Sequence, residues 1–445
     1  MVDGRFLCAG WQSLLKSYGQ AFTRPGWRRF SQWVTGMVLC QEDHMLTRTL
    51  LASDSADQWS AQERFAGRGK WDRIAVEKET VRLIERERPV CWHGYRPVAL
   101  DDTKSHRTSK KVWGVCTFRE YASRSPNRAR IVRAHNWVVL GDLIPDQPWW
   151  YLPHSGRVYF REGQLPEGEE LRTKLELGIE MLRQADAVSA TPLLAIFDGA
   201  NATKPIVGGC LNHKGDARRI EVLTRLRKDA RLYAPLPEPT RGRCGRPRKW
   251  GDRLPSPCDY AEWDVAWEEG EVVVYGRTRR FRSKRLECRW AVSGADHPVS
   301  ALALEVEGSS KSWFLVTSAC ELTTAHLVEA YAARYRQEDG FRDHKQLLGM
   351  EECRAWTKEP ILRTFQVQMV AMTLLRLIQF RLDILGEWWE STPWYPQKRH
   401  ASILDLRRLV WKRRREFSHL LSQTHDMQKT HHDRQNLRHQ EITAA

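Results

Sequence analysis

The sequence predicts an α/β fold, and three observations lead to this prediction. Two short apolar runs, at residues 96–100 and 192–197, each end abruptly in aspartate. A helical pattern at 169–187 lies between them, with leucine and isoleucine at steps of three and four residues. Because the second run is continuously apolar, it is expected to be a central parallel strand of the sheet.

Residues 1–92 carry helical patterns, for example at 22–39 and 71–87. In the second of these, apolar residues lie on one side and lysine and arginine on the other. A compact helical bundle with a basic face is a reasonable DNA-binding module. A bundle that only packs on the rest of the chain explains the same pattern equally well.

Residues 93–234 are expected to form the first part of the core. Three strand-like segments, at 112–121, 130–143 and 157–160, suggest an antiparallel meander before the helical pattern and the second apolar run. This order is that of an RNase H-like core. Sites in α/β sheets form at the carboxyl ends of strands, so Asp101, Asp102 and Asp198 are candidate functional residues.

Residues 235–315 are predicted to be a β-rich insertion. It opens with a loop rich in glycine, proline and arginine that contains Gly245-Arg246-Pro247-Arg248-Lys249. An extended Arg-Pro-Arg segment can lie along a narrow minor groove, and this loop resembles the core of an AT hook. The alternative is a basic linker that contacts phosphates only. In either case Arg246, Arg248 and Lys249 are expected to bind DNA.

The composition favours a polyanionic partner. Lys and Arg number 71 against 55 Asp and Glu, which gives a net charge of +16, so nucleic acid or an anionic membrane surface would be attracted. No apolar run approaches the roughly 20 residues that span a bilayer, and the start of the chain lacks the pattern of a signal peptide. A basic protein without a nucleic-acid role has the same composition.

Ten cysteines are scattered along the chain without a Cys-x-x-Cys pair. This spacing argues against a structural zinc site and against a disulfide framework. A reducing cytoplasm is the simplest location for such a protein.

The segment 331–349 follows a helix-start signal at 322–324. On a single helix, Tyr331, Arg334, Glu338 and Lys345 would fall within roughly 60° of each other on one face. A phenol, a guanidinium, a carboxylate and an ammonium would then share that face. A solvated face with ion pairs between neighbouring turns is the alternative.

The spacing Tyr-x2-Arg-x3-Glu-x6-Lys resembles the signature of a large group of DDE transposases from bacterial insertion sequences, and Tyr331, Arg334, Glu338 and Lys345 match its four positions. The resemblance implies an RNase H-like core, a helical N-terminal domain that binds the terminal repeats of the element, and a β-rich insertion between the second Asp and the Glu. It also implies that Asp198 is the second catalytic acid and Glu338 the third. Tyr331, Arg334 and Lys345 would face the DNA backbone.

The first acid is open between Asp101 and Asp102, because relatives show patterns that would select either. Consecutive residues of a strand face opposite ways, so only one of the two is expected to ligate metal, and Asp101 is preferred. Hard cations such as Mg²⁺ prefer carboxylate oxygens, and Mn²⁺ is expected to substitute. Two such ions about 3.5–4 Å apart can clamp the attacking and leaving oxygens of a phosphoryl displacement.

The sequence therefore predicts a helical DNA-binding domain (1–92), an RNase H-like core in two parts (93–234 and 316–385), the insertion (235–315) and a basic C-terminal region (386–445). The resemblance implies a DNA transposase that cleaves and joins strands at insertion-sequence ends. Its partners would be the terminal inverted repeats, the target DNA and a second copy of the chain, in the bacterial cytoplasm at the nucleoid. A catalytically silent DNA-binding protein and a nuclease without strand transfer are the alternatives.

Overall fold

The computed structural model describes residues 4–120, 130–146, 148–212, 220–236, 248–384, 386, 388–390 and 392–417. The chain divides into two compact units. The first contains the chain up to Leu83, the short segment Lys111–Trp113 and the chain from Asp343 onward; the second contains Ile84–Lys110 and Gly114–Arg342. The five segments expected from the sequence stay predictions.

The described helices, in chain order, are α1 (Gly4–Lys16), α2 (Arg24–Leu39), α3 (Leu46–Ala52), α4 (Trp59–Arg68), α5 (Arg73–Glu87), α6 (Lys174–Asp186), α7 (Lys204–Leu211), α8 (Thr324–Ala333), α9 (Tyr335–Leu347), α10 (Lys358–Asp383) and α11 (Ile403–Lys412). The N-terminal region is therefore helical, as the sequence predicts. Three further short 3₁₀ turns lie at Ser17–Ala21, Ala56–Gln58 and Pro257–Glu262.

Helix α10 is the central helix of the first unit. It packs against α1, α2, α4 and α11, and 20 of its 26 residues are buried. By length and composition α10 could cross a membrane, but 94% of its most apolar window is buried inside the protein. Its apolar sequence is thus explained by its place as a core helix of a bundle.

The described strands are β1 (Arg96–His106), β2 (Cys116–Glu120), β3 (Arg130–Ile144), β4 (Trp150–Tyr159), β5 (Leu193–Phe197), β6 (Glu221–Arg225), β7 (Leu232–Tyr233), β8 (Glu268–Val274), β9 (Arg277–Trp290), β10 (Pro298–Val306) and β11 (Trp313–Thr317). All belong to one mixed sheet in the second unit, in the order β2-β3-β1-β5-β6-β11-β10-β9-β7. Strand β4 also pairs with β3, and β8 pairs with β9.

The centre of this sheet has the topology of an RNase H-like fold. Strand β1 pairs antiparallel with β3 and parallel with β5, and β5 pairs parallel with β6. On its edge away from β1, strand β3 pairs with β2 along its first part and with β4 along its second part. Helix α6 connects the antiparallel strands to β5. The predicted fold class is confirmed.

The strands of the β-rich insertion extend the core sheet beyond β6. Strand β11 pairs antiparallel with β6, β10 with β11, and β9 with β10. This pairing supplies hydrogen-bond partners to the edge of β6, which would otherwise be open to pairing with another chain.

Two apolar clusters cover the two faces of the sheet. Val98 and Leu100 of β1 pack with the buried residues of α6 and α7. Ala99 of β1 packs with the buried residues of α8. Successive residues of β1 therefore alternate between the α6 side and the α8 side of the sheet, as the period of a strand requires.

The segment predicted as one continuous signature helix is interrupted at Arg334. Helix α8 ends at Ala333 and α9 begins at Tyr335. Arg334 keeps helical backbone angles (φ −50°, ψ −33°), and its N–H donates to the carbonyl of Tyr331 at 3.3 Å. A tightened turn thus joins the two helices, and the prediction of one regular helix is wrong at this residue.

A glycine explains how closely α9 approaches the sheet. A Cβ atom at Gly340 would lie 2.5 Å from Cδ1 of Tyr151 on β4, and one at Gly141 on β3 would lie 2.5 Å from Cε2 of the same ring. Both distances are far below van der Waals contact. The buried Tyr151 ring therefore lies between two glycines, which accounts for a glycine inside α9 despite its helix-weakening effect.

We expect Gly340→Ala to destabilise the protein by about 1–3 kcal/mol, because the added methyl group overpacks the contact with Tyr151. Alanine normally stabilises a helix by about 1 kcal/mol relative to glycine. Gly67 in α4 is the matched control, because a Cβ there meets no atom within 4 Å. Urea denaturation should show opposite shifts for the two variants; stabilisation by Gly340→Ala would contradict the close contact.

Candidate active site

Strand β1 directs Asp101 toward the α8 side of the sheet. Ala99, two residues earlier on β1, packs into the cluster on that side, and residues two apart share a face. The Asp101 side chain is 23% exposed, and its Oδ1 accepts the backbone N–H of Asp102 at 2.8 Å. Asp101 is thus a partly buried carboxylate held by its own strand.

Asp198 lies on the same side of the sheet as Asp101. In the parallel pairing of β1 with β5, Leu100 is the partner of Phe197, so Asp101 and Asp198 are the next residues of the two strands. The α8-side cluster includes Ile196, two residues before Asp198. Asp198 Oδ1 accepts the backbone N–H of Ala200 at 3.2 Å, which fixes the carboxylate at the start of the turn.

The Arg334 guanidinium joins the first and third candidate acids. Its Nη1 lies 3.2 Å from Asp101 Oδ2, and its Nη2 lies 3.0 Å from Glu338 Oε1. The Arg334 side chain is 14% exposed, whereas Glu338 is 45% exposed. The tightened turn between α8 and α9 therefore brings a strand carboxylate and a helix carboxylate to one cation.

Asp102 faces the opposite side of the sheet. Its Oδ2 accepts from Lys174 Nζ at 2.7 Å, and Lys174 is the first residue of α6. Leu100, which shares this face of β1, packs against α6 and α7. Asp102 is therefore held in an ion pair away from Arg334 and Glu338.

Burial dominates the electrostatics of Asp101 and raises its pKa from 3.8 to about 6. The Asp102 N–H and Arg334 lower the pKa of Asp101, and the carboxylates of Asp102 and Asp198 raise it. Burial also raises the pKa of Tyr331, against the opposing effect of Arg334. Burial alone would lower the pKa of Arg334, but Tyr331 and three nearby carboxylates together raise it. The guanidinium is thus held fully charged among the acids.

Gln337 is a site residue that the sequence pattern did not indicate. It is fully buried, and its Nε2 lies 3.3 Å from the carbonyl of Ala99, 3.1 Å from that of Val139 and 3.1 Å from Tyr151 Oη. These contacts fasten the start of α9 to β1, β3 and β4. The only sequence signal for Gln337 is that it is an uncharged polar residue between Arg336 and Glu338. Its hydrogen-bond partners are remote in sequence.

Tyr275 is a second residue beside the site that sequence analysis missed. It forms, with Gly276, the two-residue turn between β8 and β9, and both have positive φ (53° and 74°). Its ring contacts the Tyr335 ring edge-on, with the two centroids 5.8 Å apart. Burial and the Glu338 carboxylate raise the pKa of Tyr275, and Arg334 partly opposes this increase. A tyrosine in this left-handed conformation is unusual. The Tyr-Gly pair between two β-like runs was the available signal.

The remaining predicted site residues lie elsewhere or outside the described residues. Lys345 lies on α9 two turns after Glu338, with its Nζ 3.8 Å from Glu351. Arg248 is paired with Asp252 at 3.4 Å and is exposed, as is Lys249. Arg246 lies outside the described residues. Within the described part of the chain, no contact joins Arg248 or Lys249 to the three acids.

The donor set of this site suits a hard divalent cation. The candidate ligands are carboxylates, and oxygens of Asp101 and Glu338 already converge on one cationic group. In the described ranges, no group of three or more His, Cys, Asp or Glu side chains is close enough to form a metal site. Asp101, Asp198 and Glu338 therefore fit a divalent cation, because all three are carboxylates on the same side of the sheet. In this structure the Arg334 guanidinium lies between Asp101 and Glu338.

We expect Asp101→Asn to stabilise the metal-free protein at about pH 8, by about 1–3 kcal/mol. The raised pKa means that the folded protein favours protonated Asp101. Protonation of Asp101 therefore contributes its full stabilisation of the folded protein below about pH 4, and this contribution is lost as the pH rises through about 6. The asparagine is neutral throughout, so the difference between variant and wild type should shrink between about pH 6 and pH 4.

Thermal unfolding in EDTA across this pH range is the measurement, with Asp102→Asn as the control. Loss of the ion pair with Lys174 should make that variant slightly less stable at about pH 8. Equal stabilisation by both substitutions would contradict the different environments of the two aspartates.

Comparison with known proteins places the chain in a family. The family model described as DDE superfamily endonuclease matches residues 17–287, more than half of the 445 residues. No curated protein matches the chain significantly. The matched region contains Asp101, Asp102 and Asp198, and it ends before Tyr331 and Glu338. With its RNase H-like sheet, which carries acids within β1 and directly after β5, the chain belongs to the DDE superfamily of endonucleases.

Proposed function

We propose that this protein is a DNA transposase that hydrolyses phosphodiester bonds at the ends of an insertion sequence and transfers the strands. One observation carries the proposal: the guanidinium of Arg334 joins Asp101 and Glu338, while Asp198 extends the strand next to Asp101. Two of the three acids thus share one cation, and the third follows the neighbouring strand on the same side of the sheet. Membership of the DDE endonucleases supports DNA as the substrate.

Asp101, Asp198 and Glu338 would hold the Mg²⁺ or Mn²⁺ ions, as DDE endonucleases generally use divalent metals. When bound, these ions supply Lewis-acid stabilisation and an activated oxygen nucleophile. Asp102 takes no part as a ligand, because its pair with Lys174 is on the other face.

Arg334 and Lys345 would bind phosphates of the DNA backbone as charge-assisted donors. Tyr331, half-buried beside Arg334, would donate its hydroxyl proton in a hydrogen bond to a phosphate. Gln337 would orient Glu338 through the carbonyls of the sheet. Positioning by buried neighbours is what a carboxylate on a helix surface needs to keep one geometry.

The spacing of Tyr331, Arg334, Glu338 and Lys345 supports assignment to the transposases of bacterial insertion sequences. The helical N-terminal region would bind the terminal inverted repeats, and the basic segment with Arg246, Arg248 and Lys249 would contact DNA. Two copies of the chain would act on paired ends. Mass measurement of the protein with and without a terminal-repeat duplex tests the dimer.

The test of catalysis is strand cleavage of a plasmid that carries the gene with its native flanking DNA. With Mg²⁺ or Mn²⁺, wild type should cut at defined flanking positions, and EDTA should abolish the cuts. Asp101→Asn, Asp198→Asn and Glu338→Gln should each lower cleavage by at least about 100-fold, because each removes one charged oxygen ligand. Asp102→Asn is the matched control and should retain cleavage within about tenfold, because only its ion pair is lost.

Cleavage that persists in Asp198→Asn and Glu338→Gln would overturn the proposed acids. Salt-sensitive DNA binding without cuts by wild type would indicate the catalytically silent DNA-binding protein instead. Cuts without joined products would indicate a nuclease that lacks strand transfer.

A further inference from the structure

A basic groove lies in the helical unit, between the first turn of α2 and the last turn of α4. Its volume is about 360 Å³, and four cationic side chains line it: Arg29, Arg64, Arg68 and Lys70. None of the residues that line it is acidic. Arg64, Arg68 and Lys70 are exposed. The groove therefore presents a concentrated positive charge to solvent.

The beginning of α2 adds to this charge. Acidic residues are normally favoured in the first turn of a helix, because the N-terminus is the positive end of the helix dipole. The first turn of α2 has none, and Arg24 is its first residue. Thr23 caps the helix by accepting the N–H of Gly26. Cations are thus gathered at a helix end that already attracts anions.

This arrangement is electrostatically costly without an anion. Burial lowers the pKa of Arg29, and the charges of Arg28 and Arg64 lower it further, while Asp57 opposes them. Cations that lower one another's pKa repel each other, and this repulsion destabilises the folded protein. Arg29 Nη1 also donates to Gln58 Oε1 at 3.0 Å, and an anion bound between Arg29 and Arg64 would reduce the repulsion between these two cations.

Buried hydrogen bonds and ring packing hold the frame of the groove. Arg363 of α10 is buried and donates to three carbonyls at the C-terminal end of α4, at N···O distances of 2.8, 3.0 and 3.0 Å. The ring of Phe65, which lines the groove, stacks on Trp71 at 5.1 Å. Arg64 and Arg68 lie four residues apart on α4, so they share one face of a fixed helical turn.

We propose that this α2–α4 groove binds the phosphate backbone of double-stranded DNA. Phosphate contacts from arginines and a helix N-terminus fix the register of a protein on DNA without reading bases, and the groove offers both. The inference rests on the proposed function, in which the N-terminal region contacts DNA, and names the surface that does so. Each occupied phosphate contact should appear in the salt dependence of binding.

The test compares the full-length wild type with Arg64→Gln/Arg68→Gln by fluorescence anisotropy, using a short mixed-sequence DNA duplex in EDTA over a range of salt concentrations. Each lost phosphate contact lowers the slope of log K against log salt by about 0.9. We expect the double variant to lose about 1–2 from this slope and to bind roughly tenfold more weakly at low salt. Arg64→Lys/Arg68→Lys should keep the wild-type slope, because lysine also binds phosphate as a point charge.

The matched control is Arg48→Gln/Arg82→Gln. These two arginines lie on helices of the same unit, are about half exposed and are each paired with a glutamate, so the control loses the same charge outside the groove. It should keep the wild-type slope. Thermal unfolding of all variants checks that each is folded.

The outcomes separate the groove from the proposed function. An unchanged slope and affinity in Arg64→Gln/Arg68→Gln, or the same loss in the control, would overturn the groove as the DNA-binding surface. Thermal stabilisation of wild type by inorganic phosphate, combined with unchanged duplex binding by the groove variant, would identify a small-anion site and overturn the proposal. No duplex binding by wild type at any salt concentration would count against the proposed function itself.

Discussion

The close contact between α9 and the sheet is the constraint on which the site depends. Gly340 allows α9 to lie against the ring of Tyr151, and Gln337 donates to main-chain carbonyls of β1 and β3. A fully buried amide NH₂ group must be hydrogen-bonded, or its desolvation costs about 1–3 kcal/mol, so these contacts of Gln337 Nε2 specify one position for the start of α9. Glu338 is itself nearly half exposed. Its position is therefore determined mainly by the buried residues on either side of it.

The side chains of β1 point alternately to the two faces of the sheet, so only one of its two adjacent aspartates lies on the same side as Glu338. Asp101 shares a face with Ala99 and meets Arg334, whereas Asp102 shares a face with Leu100 and meets Lys174. A shift of one residue in the pairing of β1 would exchange the two environments. The register is fixed by β3 on one side and β5 on the other, so the identity of the first candidate acid follows from strand pairing rather than from acidity.

Local patterns predicted the fold class and most of the candidate acids, because they depend on signals within a few residues. The change from apolar residues to aspartate marked the end of β5 and, within β1, the point where burial decreases before the strand continues to His106. The signature spacing indicated Glu338, beyond the end of the family match at residue 287. The pairing of β6 with β11 and the bonds of Gln337 were not predictable. Ala99 and Val139 lie 238 and 198 residues from Gln337, and no local pattern encodes such partners. The break at Arg334 was missed because residues 322–339 contain no glycine or proline that would signal it.

The distribution of charge follows from the two demands on a protein that acts on DNA. The chain carries a net charge of +16, yet the candidate active site gathers three carboxylates around one guanidinium. Without bound metal, these acids repel a phosphate, so under the proposed function Arg334 and Lys345 need support from cations elsewhere on the chain to attract DNA. Exposed charges act over roughly 8–10 Å at physiological salt, which favours dedicated basic surfaces such as the α2–α4 groove over the overall net charge. Under the proposed function, binding free energy gained at such a basic surface contributes to holding DNA during the reaction, and the carboxylates are then free to be placed for chemistry alone.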